Sequence, residues 1–90
     1  MPFEILDGVA FYETGYTRKG HFKPYKEGGT ITLFGKRYKT HRAIAYAKAT
    51  PKQRTRFSGY DAHHIQGRKV PLTWSGVQLL TAEVYRKNNI

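Results

Sequence analysis

Asp61-Ala62-His63-His64-Ile65-Gln66-Gly67 is the stretch on which the reading of this chain turns. Read as a strand, it sends successive side chains to opposite faces, so His63 and His64 point in opposite directions. One imidazole then looks into a metal site, while the other supports the strand or meets a water. That division suits metal-assisted hydrolysis of a phosphodiester, which needs a hard cation and a neutral imidazole as general base.

Downstream, Val70-Pro71-Leu72-Thr73-Trp74-Ser75-Gly76 reads as a loop and Val77-Gln78-Leu79-Leu80 as a second strand. Thr81 is placed to cap a final helix from Ala82 to about Asn88, with Glu83 in its first turn. Trp74 and Leu72 are expected to cover the core between the strands. The last third is therefore strand, loop, strand, helix.

Upstream, Lys52 to Gly59 reads as a basic connector, and Pro51 ends the segment before it. That segment, His41-Arg42-Ala43-Ile44-Ala45-Tyr46-Ala47-Lys48-Ala49, is alanine-rich and predicts a helix with Thr40 as N-cap. Ile44 and Tyr46-Ala47 would form its buried side, and His41 reads as a structural helix-start residue bonded to backbone. Thr30 to Phe34 and Arg37 to Thr40 flank Gly35-Lys36 and predict a hairpin. Thr14 to Gly29, rich in Gly, Tyr and Lys, lacks helical periodicity and reads as a long surface loop or irregular hairpin, with His21 at the surface. Ile5-Leu6 and Val9-Ala10-Phe11 surround Asp7-Gly8, whose residues supply the positive φ angles a tight hairpin needs.

Ninety residues allow one small domain with a modest core. The formal net charge is +10, from 16 Lys+Arg against 6 Asp+Glu. From Thr14 to Tyr60 the chain carries twelve Lys/Arg and a single acid, Glu27. A block of one sign repels itself and calls for an anionic partner, of which nucleic acid is the commonest. No apolar run approaches a membrane-spanning length. With no cysteine, disulfides and thiolate zinc sites are excluded. The N-terminus lacks the basic start and apolar centre of a secretory signal, so a cytoplasmic location is expected.

Taken together, Asp61-Ala62-His63-His64-Ile65, the spacer, Val77-Gln78-Leu79-Leu80-Thr81 and the short terminal helix resemble the HNH endonucleases, also called ββα-metal or His-Me finger nucleases. Ile31-Thr32-Leu33-Phe34-Gly35-Lys36-Arg37-Tyr38-Lys39-Thr40-His41-Arg42-Ala43 is similar to the "GKxYxxHR" segment of phage homing-type members. The resemblance covers roughly Thr30 to Lys87. It implies an α+β fold: a small single domain with N-terminal β-hairpins, a helix and a C-terminal ββα-metal finger. Residues 1–29 would form a basic hairpin-and-loop region and 30–90 the nuclease-like region of one compact unit.

The resemblance further implies that His64 is the general base and that His63, or the carboxylate of Asp61, holds one divalent cation. Mg²⁺ is the first expectation; a histidine ligand also admits Mn²⁺, Ni²⁺ or Zn²⁺. Two positions depart from the family pattern. Gly76 stands where an Asn normally precedes the second strand, and Tyr85 where the last His or Asn would fall. A phenol ionises near pH 10 and is a poor Mg²⁺ ligand. Asn88 and Asn89, three and four residues on, share the helical face of Tyr85 and are the candidate replacements.

For the nucleic acid, expected to be DNA, the run from Tyr16 to Lys26 interleaves cations with aromatics, including Arg18, Lys19 and Lys23. Lys36, Arg37, Lys39 and Arg42 form a second cluster, and Lys52, Arg54 and Arg56 a third. Arg68 and Lys69 follow the histidines and would grip the phosphate beside the cut. No base-reading module is evident, which predicts weak sequence preference. A catalytically silent nucleic-acid-binding protein on the same scaffold is the alternative, and a phage-type effector of an acidic host protein is a third reading.

Overall fold

Asp7 and Gly8 both adopt positive φ (52° and 74°), and this tight turn sets the register of the first hairpin. In the computed structural model, which describes residues 1–18, 20–65, 67 and 71–81, the turn joins β1 (Glu4–Leu6) to β2 (Val9–Phe11), pairing Leu6 with Val9. Alternation along β2 buries Val9 and Phe11 completely. The chain continues into β3 (Gly15–Arg18) and β4 (His21–Pro24), giving a four-stranded antiparallel meander in the order β1-β2-β3-β4.

Of the loop or irregular hairpin expected for Thr14 to Gly29, the structure shows the hairpin, and residues 15–24 form it as a regular pair of strands. Its glycines and proline hide the pattern, and pairing of β3 with β2 supplies what propensity does not. Gly15 is needed there: a Cβ would lie 2.4 Å from the Lys23 carbonyl oxygen and 2.6 Å from the Phe22 ring. Edge strand β4 is exposed along its length and ends in Pro24, which blunts further pairing.

β5 (Thr30–Leu33) and β6 (Lys36–Lys39) form a separate hairpin that buries Ile31 and Leu33 and leaves Thr30 and Thr32 outside. Its turn is centred on Phe34-Gly35, both at positive φ, one residue earlier than the Gly35-Lys36 expected. The Phe34 N–H donates to Asp7 Oδ2 at 2.8 Å, tying this hairpin tip to the first turn.

Helix α1 (Thr40–Lys48) buries Ala43, Ile44, Ala45 and Ala47. Thr40 is not its cap, as expected, but its first helical residue, buried and donating its N–H to the Gly29 carbonyl at 3.0 Å; Lys39 takes the cap position without a side-chain bond. Pro51 does not simply end a helix either. Thr50 and Gln53 form a reciprocal capping box and Pro51 opens a second short helix, α2 (Pro51–Thr55), where proline costs no hydrogen bond. The expected connector is therefore helical, and a 3-10 turn at Phe57–Gly59 follows it. Arg54 folds back, donating Nε to the Tyr46 carbonyl and Nη2 to the Ala47 carbonyl, each at 2.9 Å. It thereby satisfies carbonyls that the end of α1 leaves open.

β7 (Tyr60–His64) and β8 (Val77–Thr81) pair antiparallel, with His64 opposite Val77, and both pack on α1. One core joins these parts. Val9, Phe11, Leu33, Ile44 and Val77 are its largest fully buried side chains, and Leu72, Trp74 and Leu79 pack against it. Lys48 pins the loop before β8, donating Nζ to the carbonyls of Trp74 (2.9 Å) and Val77 (2.7 Å). The whole is a small α+β domain. The helix expected from Ala82 onward lies outside the described residues.

Candidate functional site

Strand alternation divides the Tyr60–His64 segment. Ala62 packs on the core, so His64 shares its side of β7, facing α1, while Asp61 and His63 share the other side. The chain just after His64 is held by two bonds: the Ile65 N–H donates to the Gly76 carbonyl (2.9 Å), and the Gly67 N–H donates to the His64 carbonyl (3.2 Å). Its ring lies against that of His41, centroids 4.8 Å apart, at the first turn of α1. Its Nε2 comes within 3.4 Å of Glu27 Oε2, and the side chain is only 11 % exposed.

That contact is an ion-pair approach, not an aligned hydrogen bond, and it leaves Nε2 as a buried polar atom without a hydrogen-bond partner. Buried polar atoms in this condition are uncommon and ask for a reason. His41 is held below the usual histidine range, first by burial, then by His64, with Arg42 and Lys39 adding to the effect and Glu27 opposing it. Its imidazole is neutral at pH 7. The His41 ring, at the helix start, lies against His64 and also lines a cleft beside β6.

That cleft, of about 550 Å³, lies between β6, α1 and α2 and is lined by Lys36, Arg37, Lys39, His41, Arg42 and Arg54 together with aromatic and hydroxyl side chains. Among the described residues no acidic side chain lines it. Lys36, Arg37 and Lys39 are exposed on β6. Arg42 is braced, stacking over Phe57 (4.6 Å) and donating to the Tyr60 carbonyl (3.2 Å). Arg54 is held by its bonds to α1. Guanidiniums held by hydrogen bonds beside exposed lysines on one wall suit phosphate oxygens.

Of the other residues expected to meet nucleic acid, Arg18 donates to the Thr32 carbonyl (2.7 Å) and approaches Asp7 (3.8 Å). Lys23 is exposed on β4, away from this cleft, and Arg56 is exposed at the end of α2. Lys19, Arg68, Lys69, Asn88 and Asn89 lie outside the described residues. Among the described residues no group of three His, Asp or Glu is arranged to hold a metal. Asp61 and His63 supply one oxygen and one nitrogen donor on a common face, which a divalent ion accepts but does not find sufficient.

Sequence reasoning missed His41 and Glu27 as members of the site. The signals were present in the "HR" pair and in Glu27 as the one acid of a long basic run. Comparison with family models, with curated proteins and with solved structures finds no match.

Proposed function

We propose that this chain is an HNH-type, metal-dependent endonuclease that hydrolyses DNA phosphodiester bonds with weak sequence preference. The observation that carries the proposal is His64: an imidazole with a buried nitrogen that has no hydrogen-bond partner, its ring against His41, which lines a cationic cleft. In this reading β7 and β8 are the two strands of a ββα-metal finger.

The cleft binds the backbone, with Lys36, Arg37 and Lys39 on phosphates and Arg42 as a rigid donor. His64 takes the proton of the attacking water. Glu27 supplies a countercharge for the imidazolium, while half-buried His41, its pKa lowered first by burial, is the poorer proton acceptor. Asp61 and His63 would hold the divalent ion with donors beyond the described residues, Asn88 and Asn89 being the candidates. When bound, that ion would neutralise charge on the phosphate and leaving oxygen.

Plasmid nicking across Mg²⁺, Mn²⁺, Ni²⁺ and Zn²⁺, with an EDTA control, tests the proposal. Metal-dependent nicking that His64→Ala reduces by about 10²-fold or more, with DNA affinity nearly unchanged, is the expected result. Equal cleavage by both proteins refutes the assignment.

A second reading is favoured by the same ring. Burial of Nε2 against Glu27, together with Gly76 in place of the family's Asn, suits a catalytically silent DNA-binding protein. It predicts salt-sensitive binding and no cleavage under any divalent ion. Among the described residues no helix is long and apolar enough to cross a membrane.

A further inference from the structure

The tip of the β5–β6 hairpin carries a phenyl ring that folding does not explain. Three such rings stand more than half exposed among the described residues: Phe3 (58 %), Phe22 (54 %) and Phe34 (62 %). Phe3 stacks on Trp74 with centroids 5.6 Å apart, and Phe22 meets Tyr12 edge-on at 6.4 Å. Phe34 has no ring partner among the described residues and stands outside the core.

Its backbone sharpens the question. Phe34 has φ of 52°, the left-handed region that Gly or Asn enters cheaply and a bulky side chain does not. A single apolar residue at a surface is ordinary. A ring that strains its own turn and still stays in water is not.

Around this ring the tip is tied down and cationic. The Phe34 N–H donates to Asp7 Oδ2 at 2.8 Å, and Arg18 of the meander donates to the Thr32 carbonyl at 2.7 Å. Asp7, the acid at this tip, is taken up by that N–H and by the approach of Arg18 (3.8 Å). Beyond Gly35, Lys36 and Arg37 line the main cleft. Phe34 therefore stands at the end of the cationic wall. Two residues separate it from Lys36, a reach of at most about 7 Å, or about two base steps of a duplex.

We propose that Phe34 is a wedge that enters between adjacent base pairs of duplex DNA whose backbone lies in the main cleft. Apolar side chains part a base step in this way, and the cost of unstacking is offset by the contacts that the bent duplex then makes. The proposal rests on the reading of the chain as DNA-binding and adds what the protein does to the duplex: it unwinds and kinks one step beside Lys36 and Arg37. The bond to Asp7 holds the turn in place beforehand, so little ordering is left to the moment of insertion.

The test uses the full chain with EDTA present, so that no cutting intervenes. A closed plasmid is relaxed by a metal-independent topoisomerase at saturating protein, stripped of protein and run on a gel. The wild type should leave topoisomers of lowered linking number, because a parted step unwinds the duplex. Phe34→Asn should remove that shift and weaken duplex affinity about tenfold. The same variant should raise the urea midpoint, since Asn-Gly suits this turn better than Phe-Gly. A bound wild type that leaves the linking number unchanged overturns the wedge while DNA binding stands. A Phe34→Asn protein that keeps the shift overturns it too, and so does one that loses stability, for the ring would then belong to the packing. Failure to bind plasmid at all overturns the wedge together with the DNA-binding reading. Nicking with Mg²⁺ is read in a separate arm and bears on the nuclease reading alone.

Discussion

At the scale of single residues, the His41–His64 contact sets two titratable rings in one half-buried place with one carboxylate beside them. Burial holds the His41 pKa down, so the unfolded chain binds a proton there at a pH where the folded protein does not. Stability from this group is complete above about pH 6.5, the ordinary histidine value, and is lost as pH falls below it toward the lower folded-state value. Urea midpoints at pH 7.5 and pH 5.5 check this: the drop on acidification should be smaller in His41→Gln than in the wild type. An identical drop would mean that the ring is not desolvated. Glu27, the acid nearest both rings, opposes the effect, and Glu27→Gln should enlarge it.

At the scale of elements, Gly15 decides how β3 and β4 meet. A methyl group there collides with the Lys23 carbonyl and the Phe22 ring, so Gly15→Ala should cost about 1–3 kcal/mol and loosen this hairpin first, as amide exchange in β4 would report. Nothing in the letters of Gly15-Tyr16-Thr17-Arg18 announces a strand, since β-propensity is context and that context is β2. By contrast, Asp7-Gly8 declares its own turn, and the alanines after His41 declare a helix wherever they are placed. The β7–β8 pair was legible because Ser75-Gly76 leads into the apolar run that begins at Val77 and Gly67 closes off the segment that holds His64. The capping box was in the letters Thr50-Pro51-Lys52-Gln53, yet Pro51 reads as a stop until the chain is seen to start again after it. The site was half legible. His64 stands in the double-histidine segment, but its neighbour Glu27 is thirty-seven positions away, and only the fold brings them together.

At the scale of the molecule, one core carries both the meander and the β7–β8 pair. Ile44, fully buried on α1, lies where they join, and Ile44→Ala should cost about 2–5 kcal/mol in a single cooperative unfolding transition. Two separate transitions would show that the parts fold independently. The excess of positive charge belongs to this scale too. If about six cations meet phosphates, DNA affinity should fall as roughly the fifth power of salt concentration, and Arg37→Ala should lower that slope by about one. A flat salt profile would remove DNA as the partner. On the proposed reading His64 is held ready to take a proton beside a bound DNA backbone. Gel analysis of supercoiled plasmid with Mg²⁺ or Mn²⁺, comparing the wild type with His64→Ala at matched DNA occupancy, measures it most directly. Open-circle product from the wild type alone is the predicted result; undiminished product from the variant, or none from the wild type with any divalent ion, would contradict it.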